Sequence, residues 1–298
     1  MRPQFRNLTI AGTVLLLVMA SLLFGGCTAP SKEGRSYSVN SSGLLTLHVP
    51  PVQVTENVLR TEGNITVSRL VFHTTEGEVY ALLASPPNPR AAFVHAPGAG
   101  NTKEMHEARA LSYARGGFAY LVLDIRGNGG ETPGYPLNFE RDFDLFQKGS
   151  IPEYYNNVGD MINARQYLSD RFRVPVIASG ESNGGRYAAL AAALDPGFSG
   201  YVGISTSGFG RAGDNPSYTE SAHKFLLSVD PELYVGSITP REVLIFHAPN
   251  DTIIPFKDGE AFFNLANGPK TFYSFNGTHG VTGEVDEDVM SRYTQIYG

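Results

Sequence analysis

One serine in this 298-residue chain stands where a serine can become a nucleophile. Ser182 lies in Gly180-Glu181-Ser182-Asn183-Gly184, with a glycine two positions to either side. That spacing fits a sharp turn that lifts a hydroxyl clear of its surroundings, because side chains at the glycine positions would collide with flanking backbone. A serine hydroxyl is a poor nucleophile at neutral pH. It needs a base to take its proton, and the base needs an acid to fix its tautomer. Downstream, Asp251 in Ala248-Pro249-Asn250-Asp251 and His279 in Gly277-Thr278-His279-Gly280 can supply both, with Asp214 and Asp230 as reserve acids. Such a set performs acyl transfer: attack on a carbonyl, a covalent acyl intermediate, and release by water.

These residues must be positioned by strands and helices, and the pattern provides them. Val174–Ala178 is a short apolar run that reads as a buried strand, and the alanine-rich run from Tyr187 reads as a helix. The start of that helix directs N–H groups and partial positive charge at Ser182. Further strands are expected at 91–96, 119–124, 201–205, 241–247 and 270–275, with helices at 103–115, 158–172, 258–266 and 284–297. A hairpin is expected over 68–84, turning at 75–78. Alternating strands and helices imply a parallel sheet covered on both faces. Ser182, Asp251 and His279 each follow the C-terminal end of a strand, where loops of such a sheet converge. The 131–155 stretch reads as a long loop with aromatics among charges, and 208–240 as an excursion with a helix over 218–227; both suit a lid or small cap.

Five segments together resemble the α/β-hydrolase superfamily: Pro97-Gly98-Ala99-Gly100, the Asp-x-Arg-Gly-x-Gly run from Asp124 to Gly129, the turn at Ser182, Ala248-Pro249-Asn250-Asp251 with Pro255, and Thr278-His279-Gly280. The resemblance implies an α/β fold with a mostly parallel central sheet, helices on both faces and a small cap or lid insertion. It implies Ser182 as nucleophile, His279 as base, Asp251 as the orienting acid, and an oxyanion hole made by the N–H groups of Asn183 and Ala99. Ala96-Pro97-Gly98 departs from the His-Gly of many members. The Gly184-Gly185-Arg186-Tyr187-Ala188 run is similar to serine esterases and prolyl-oligopeptidase-like members, although a propeller domain has no room here. The expected function is hydrolysis of carboxylic esters. The rivals are a serine peptidase with the same machinery and a catalytically silent surface-binding protein; a complete serine, acid and base argue against the silent one.

The remaining residues bound the reading. His95 and His247 sit in apolar strands and read as satisfied core residues, His106 and His223 as surface or cap residues on helices, and His48 and His73 precede the core. Asp124 and Arg126 read as braces beneath the site. No His, Asp or Glu grouping has metal-ligand spacing and no glycine-rich stretch matches a phosphate loop, so neither metal nor cofactor is expected. A formal charge of −6 without a basic cluster argues against nucleic acid; a small-molecule ester or short peptide is the implied partner. At the N-terminus, Arg2 and Arg6 precede an apolar run from Leu8 to Phe24 and then Gly25-Gly26-Cys27, which describes an export signal. Phe-Gly-Gly-Cys resembles a lipobox, with Cys27 lipidated; an uncleaved helix is the alternative, and either places the domain outside the cell, tethered to the membrane. The organisation expected is thus signal 1–27, flexible tether 28–43, and one hydrolase domain 44–298 whose first strands, 44–67, are peripheral.

Overall fold

A computed structural model describes residues 34–298, so the segment expected to be an export signal, with Cys27, lies outside the described residues. Among the described residues no helix is long and apolar enough to cross a membrane.

The expected strands form, and they join one nine-stranded sheet. In chain order they are β3 (Gln53–Glu62), β4 (Ile65–Thr74), β5 (Gly77–Ser85), β6 (Ala92–Ala96), β7 (Ala119–Leu123), β8 (Val176–Glu181), β9 (Gly200–Ile204), β10 (Glu242–His247) and β11 (Lys270–Ser274). Across the sheet they run β11-β10-β9-β8-β6-β7-β5-β4-β3. From β7 to β11 every pairing is parallel, and β5, β4 and β3 add an antiparallel margin. The hairpin turns where the sequence placed it, between β4 and β5.

Alternation along each strand builds two cores. Val94, Ala178, Tyr201, Val243 and Ile245 face one side, under α3 (Glu153–Phe172), α4 (Asn183–Leu194), α5 (Glu220–Ser228) and α6 (Phe256–Leu265). Phe93, Ile177, Val202, Leu244 and Phe246 face the other, under α1 (Glu107–Arg115) and α7 (Gly283–Tyr297). Both faces being covered explains why these strands read as continuous apolar runs. Each fully buried large side chain removes enough apolar area from water to contribute about 1.5–3 kcal/mol.

Two expectations change, and a third is placed more closely. The tether read as flexible to Gly43 is ordered from Arg35 onward: β1 (Ser36–Val39) pairs with β2 (Leu45–His48) in a separate hairpin. Arg35 anchors it, with Nη2 at 2.7 Å from Asp160 Oδ1 and 2.6 Å from Asn163 Oδ1 in α3. The strands read as peripheral within 44–67 include β3, the edge of the main sheet. The 131–155 stretch holds α2 (Phe139–Gln147), capped by the Asn138 side chain accepting from Arg141 N–H, and the first turn of α3. Its apolar face packs on the 208–240 excursion, Phe143 and Phe146 lying 5.6 and 5.5 Å from Phe225 in α5. The aromatics form the apolar seam between these two insertions.

Candidate active site

At the end of β8 the chain turns as the glycine spacing requires. Ser182 has φ 52° and ψ −123°, a conformation an L-residue holds only under constraint, and α4 begins at Asn183. A Cβ on Gly180 would overlap the carbonyl oxygen of Gly184, and one on Gly184 would overlap those of Ala96 and Pro97. The strained residue is held from both sides. Its N–H donates to Ile204 O at 2.9 Å, and its carbonyl accepts from Thr206 Oγ1 at 2.7 Å.

Asp251 follows β10 and its side chain is fully buried, whereas the His279 ring, beyond β11, is 23% exposed; the acid lies beneath the base. His279 Nδ1–H donates to Asp251 Oδ2 at 2.8 Å and approaches Oδ1 at 3.0 Å. Asp251 Oδ1 also accepts the N–H groups of Ile253 and Ile254, each at 2.9 Å. Burial alone would raise this carboxyl, but the Ile254 N–H, His279 and the Ile253 N–H outweigh it and hold Asp251 below the ordinary carboxylate range. Asp251 is therefore ionised and fixes His279 with Nε2 as the free acceptor. Among the described residues no hydrogen bond joins Ser182 Oγ to His279. Of the expected triad, the His279–Asp251 half is closed and the Ser182–His279 half is open.

The turn after β6 lies against the serine, since a Cβ on Gly98 would sit 3.4 Å from Ser182 Cβ. Asn101 N–H closes it on Gly98 O at 3.1 Å, and Gly100, at φ 78°, makes the reversal possible. This bond leaves the N–H of exposed Ala99 outside the ring of the turn. Asn183 is the first residue of α4, so its N–H has no intrahelical partner; its side chain is steadied by donating to Tyr187 Oη at 2.9 Å.

Several supporting residues escaped the sequence reading. Ser205, at φ 45°, accepts from Gly280 N–H at 3.1 Å and donates to Gly280 O at 3.0 Å, tying the His279 loop to the end of β9. Asn128 Nδ2 donates to Gly98 O at 2.9 Å and Asn101 O at 3.0 Å, fixing the Ala99 turn from one side. Arg186 stacks on Phe209 and donates to Ser207 O at 3.0 Å. His247 donates from Nε2 to Ile254 O at 2.9 Å and lies 3.4 Å from Asp251, so it buttresses the acid's loop as well as filling core. His95 is the satisfied core residue expected, bonded to Ser179 Oγ and near Arg109. His106 is not at the surface; it is buried, 3.4 Å from Glu181. The fold thus gathers His95, His106 and Glu181, whose ligand atoms lie within 4.8 Å of one another. Arg109 Nη1 stands among them, 3.2 Å from His95 and 3.3 Å from His106, so a fixed cation already occupies the cluster.

Asp124 accepts from the Lys103 N–H and Nζ, and Arg126 pairs with Asp160 at 2.7 Å; both are braces. The reserve acids are engaged elsewhere, Asp214 with Arg211 and Asp230 as acceptor for the N–H groups of Phe209 and Arg211.

No protein-family model matches the sequence, and no curated protein matches it. Solved structures do. An acetyl xylan esterase from Paenibacillus sp. R4 superposes with a TM-score of 0.69 at 20% identity, covering 84% of this chain and 90% of that one. Acetyl xylan esterase 1 from Thermoanaerobacterium sp. JW/SL YS485 gives 0.67 at 17% identity, covering 84% and 89%. The alpha/beta hydrolase GrgF from Penicillium sp. sh18 gives 0.56 at 14% identity, covering 83% and 98%. With its parallel sheet, helices on both faces and strand-to-helix turn at Ser182, the chain has the α/β-hydrolase fold.

Proposed function

We propose that this protein is a serine hydrolase of carboxylic esters. The observation that carries the reading is the His279–Asp251 pair at 2.8 Å, set at the same sheet edge as the strained Ser182. In this reading Ser182 Oγ swings onto His279 Nε2 as substrate binds and attacks the acyl carbon while Nε2 takes its proton. The carbonyl oxygen, now anionic, lies between the N–H groups of Ala99 and Asn183. Collapse of the tetrahedral adduct expels the alcohol, which His279 protonates, and leaves an acyl-Ser182 ester. Water, deprotonated by His279, hydrolyses that ester and frees the serine. The acetyl xylan esterases among the solved structures support an ester with a short acyl group.

The test is a panel of acetyl, butyryl and long-chain esters and aminoacyl amides, with wild type and Ser182→Ala, alongside labelling by a fluorophosphonate. Turnover of short esters and label on Ser182, both lost in the alanine variant, are the expected results. Faster cleavage of aminoacyl amides moves the protein to the peptidases, and ester turnover by folded Ser182→Ala overturns the reading. We also propose that the domain is exported and tethered through residues 1–27, on the support of that segment's sequence. Cys27→Ser then releases an active protein to the medium; retention in the membrane fraction instead favours an uncleaved helix.

A further inference from the structure

We propose that Glu181 is a positioning residue for the oxyanion hole, fixing the direction of the Ala99 N–H; this inference rests on the serine-hydrolase reading above. Glu181 immediately precedes Ser182 and is 4% exposed. Its Oε1 accepts from Asn101 Nδ2 at 3.0 Å and lies 3.4 Å from the Gly98 N–H. It therefore grips both ends of the four-residue turn that carries Ala99. Asn128 holds the carbonyl side of that turn through Gly98 O and Asn101 O, so Glu181 supplies the opposing N–H side. Ala99, between the gripped ends, is left to meet an incoming carbonyl oxygen.

The carboxylate is itself held. Arg109 Nη1 lies 3.7 Å from Glu181 Oε2, and Arg109 Nε is anchored to Asp286 Oδ2 of α7 at 3.1 Å. His106 Nε2 is 3.4 Å from Oε1, and burial holds this imidazole below its ordinary range, which leaves Arg109 as the counter-charge. Oε2 makes no hydrogen bond and is buried, so this acid side chain is kept in a site that solvates it sparingly. A residue needed only to fill that space would be better apolar. Because nucleophile and carboxylate are neighbours in the chain, any shift of the turn at Ser182 carries the grip on Ala99 with it. One rigid segment thus sets the distance between the attacking oxygen and one oxyanion donor.

The experiment compares Glu181→Ala, Glu181→Gln, Asn101→Ala and the Asn101→Ala/Glu181→Ala double variant in the full chain. Ester turnover is expressed per active site titrated with fluorophosphonate, and an alkylboronic acid serves as the tetrahedral mimic. Losing a whole oxyanion donor lowers kcat about 10²–10³-fold, so misdirecting one donor is expected to lower it roughly 10–100-fold, with KM within about threefold. Boronate affinity should fall by a similar factor. Glu181→Gln keeps an acceptor for Gly98 and Asn101 and should recover most of the loss. Asn101→Ala should lose less than Glu181→Ala, which also frees the Gly98 N–H, and the double variant should be no worse than Glu181→Ala, since Asn101 acts through a bond that Glu181→Ala already removes. Wild-type kcat per titrated site and unchanged boronate affinity in Glu181→Ala overturn the proposal, even if the titre or melting temperature falls. So do losses that multiply in the double variant. Should Glu181→Ala not fold, Asn101→Ala decides by the same two readouts. Wild type that neither turns over esters nor takes label at Ser182 overturns the underlying reading and this inference with it; an active, labelled wild type with indifferent variants overturns the inference alone.

Discussion

Replacing Asp251 by asparagine separates the acid's two tasks. Oδ1 accepts the N–H groups of Ile253 and Ile254, each at 2.9 Å, and so shapes the loop; Oδ2 accepts His279 Nδ1–H at 2.8 Å. An asparagine can keep its oxygen on the two backbone donors, so the loop should survive. Its NH2 then takes the place of Oδ2, facing His279 and standing near His247 Nε2, which already donates to Ile254 O. A donor opposite Nδ1 selects the tautomer with hydrogen on Nε2, and that nitrogen can no longer take the serine proton. The expected fall in kcat is about 10⁴, or roughly 5.5 kcal/mol of barrier at about 1.4 kcal/mol per decade. Ser182→Ala should cost about 10⁶, and adding it to Asp251→Asn should make matters little worse than Ser182→Ala alone, because the residues act as a unit. The assay is steady-state turnover of an acetyl ester together with the rate of fluorophosphonate labelling, with melting temperature as the control for folding. A folded Asp251→Asn within tenfold of wild type would refute the tautomer argument.

Three further outcomes follow from the geometry. Asp160→Asn should lose about 3–5 kcal/mol, roughly 10 °C in melting temperature, because Arg35 and Arg126, each at 2.7 Å, remain buried without their carboxylate; thermal unfolding at neutral pH checks it. His95 is held well below the ordinary imidazole range by burial, then by Arg109 and His106, so between its folded value and about 6.5 the unfolded chain binds the extra proton. Its contribution to stability is complete above about pH 6.5 and declines as pH falls, at up to about 1.4 kcal/mol per unit, and unfolding midpoints in urea that stay flat from pH 7.5 to 5 would contradict this. Gly184→Ala places a methyl against the backbone oxygens of Ala96 and Pro97, and should abolish fluorophosphonate labelling while much of the helical circular dichroism remains.

How much of this could be read from the chain depended on the distance over which each signal acts. The turn at Ser182 is written in five consecutive residues flanked by an apolar strand and an alanine helix, so its conformation was legible. That Asp251 and His279 meet was legible because each follows a strand, in the expected order. What escaped was side chain meeting backbone from a remote segment. Ser205 looked like the end of a strand, and only its bonds to Gly280, 75 residues on, give it a task. Nothing in the five-residue turn gives Glu181 a task, because its partners Gly98 and Asn101 are 83 and 80 residues away. Charges hid α2, although Phe139, Phe143 and Phe146 repeat at helical spacing and Asn138 is a good cap. Arg35 hid the order of the presumed tether, because polar composition cannot reveal a carboxylate waiting on α3.

The sheet rather than the loops sets the geometry of the site. Its components come from adjacent strands: Ala99 after β6, Ser182 after β8, Ser205 and Thr206 after β9, Asp251 after β10 and His279 after β11, in the order the strands lie side by side. The backbone ladder also continues past the strand ends, Ser182 N–H donating to Ile204 O at 2.9 Å, Ser205 N–H to Phe246 O at 2.8 Å and Phe275 N–H to His247 O at 3.4 Å. Neighbouring strands are about 4.8 Å apart, so these bonds fix lateral spacing to a fraction of an ångström before any loop is built. The left-handed backbone of Ser182 and Ser205 follows from the same constraint: each must keep its N–H on the neighbouring strand while its chain departs into the site. Such strain costs of order 1–3 kcal/mol per residue and persists only where the surroundings over-determine it. The parallel ladder does so here, which is why Ser205 and Gly280, 75 positions apart, meet at hydrogen-bonding distance on loops that differ in length and composition.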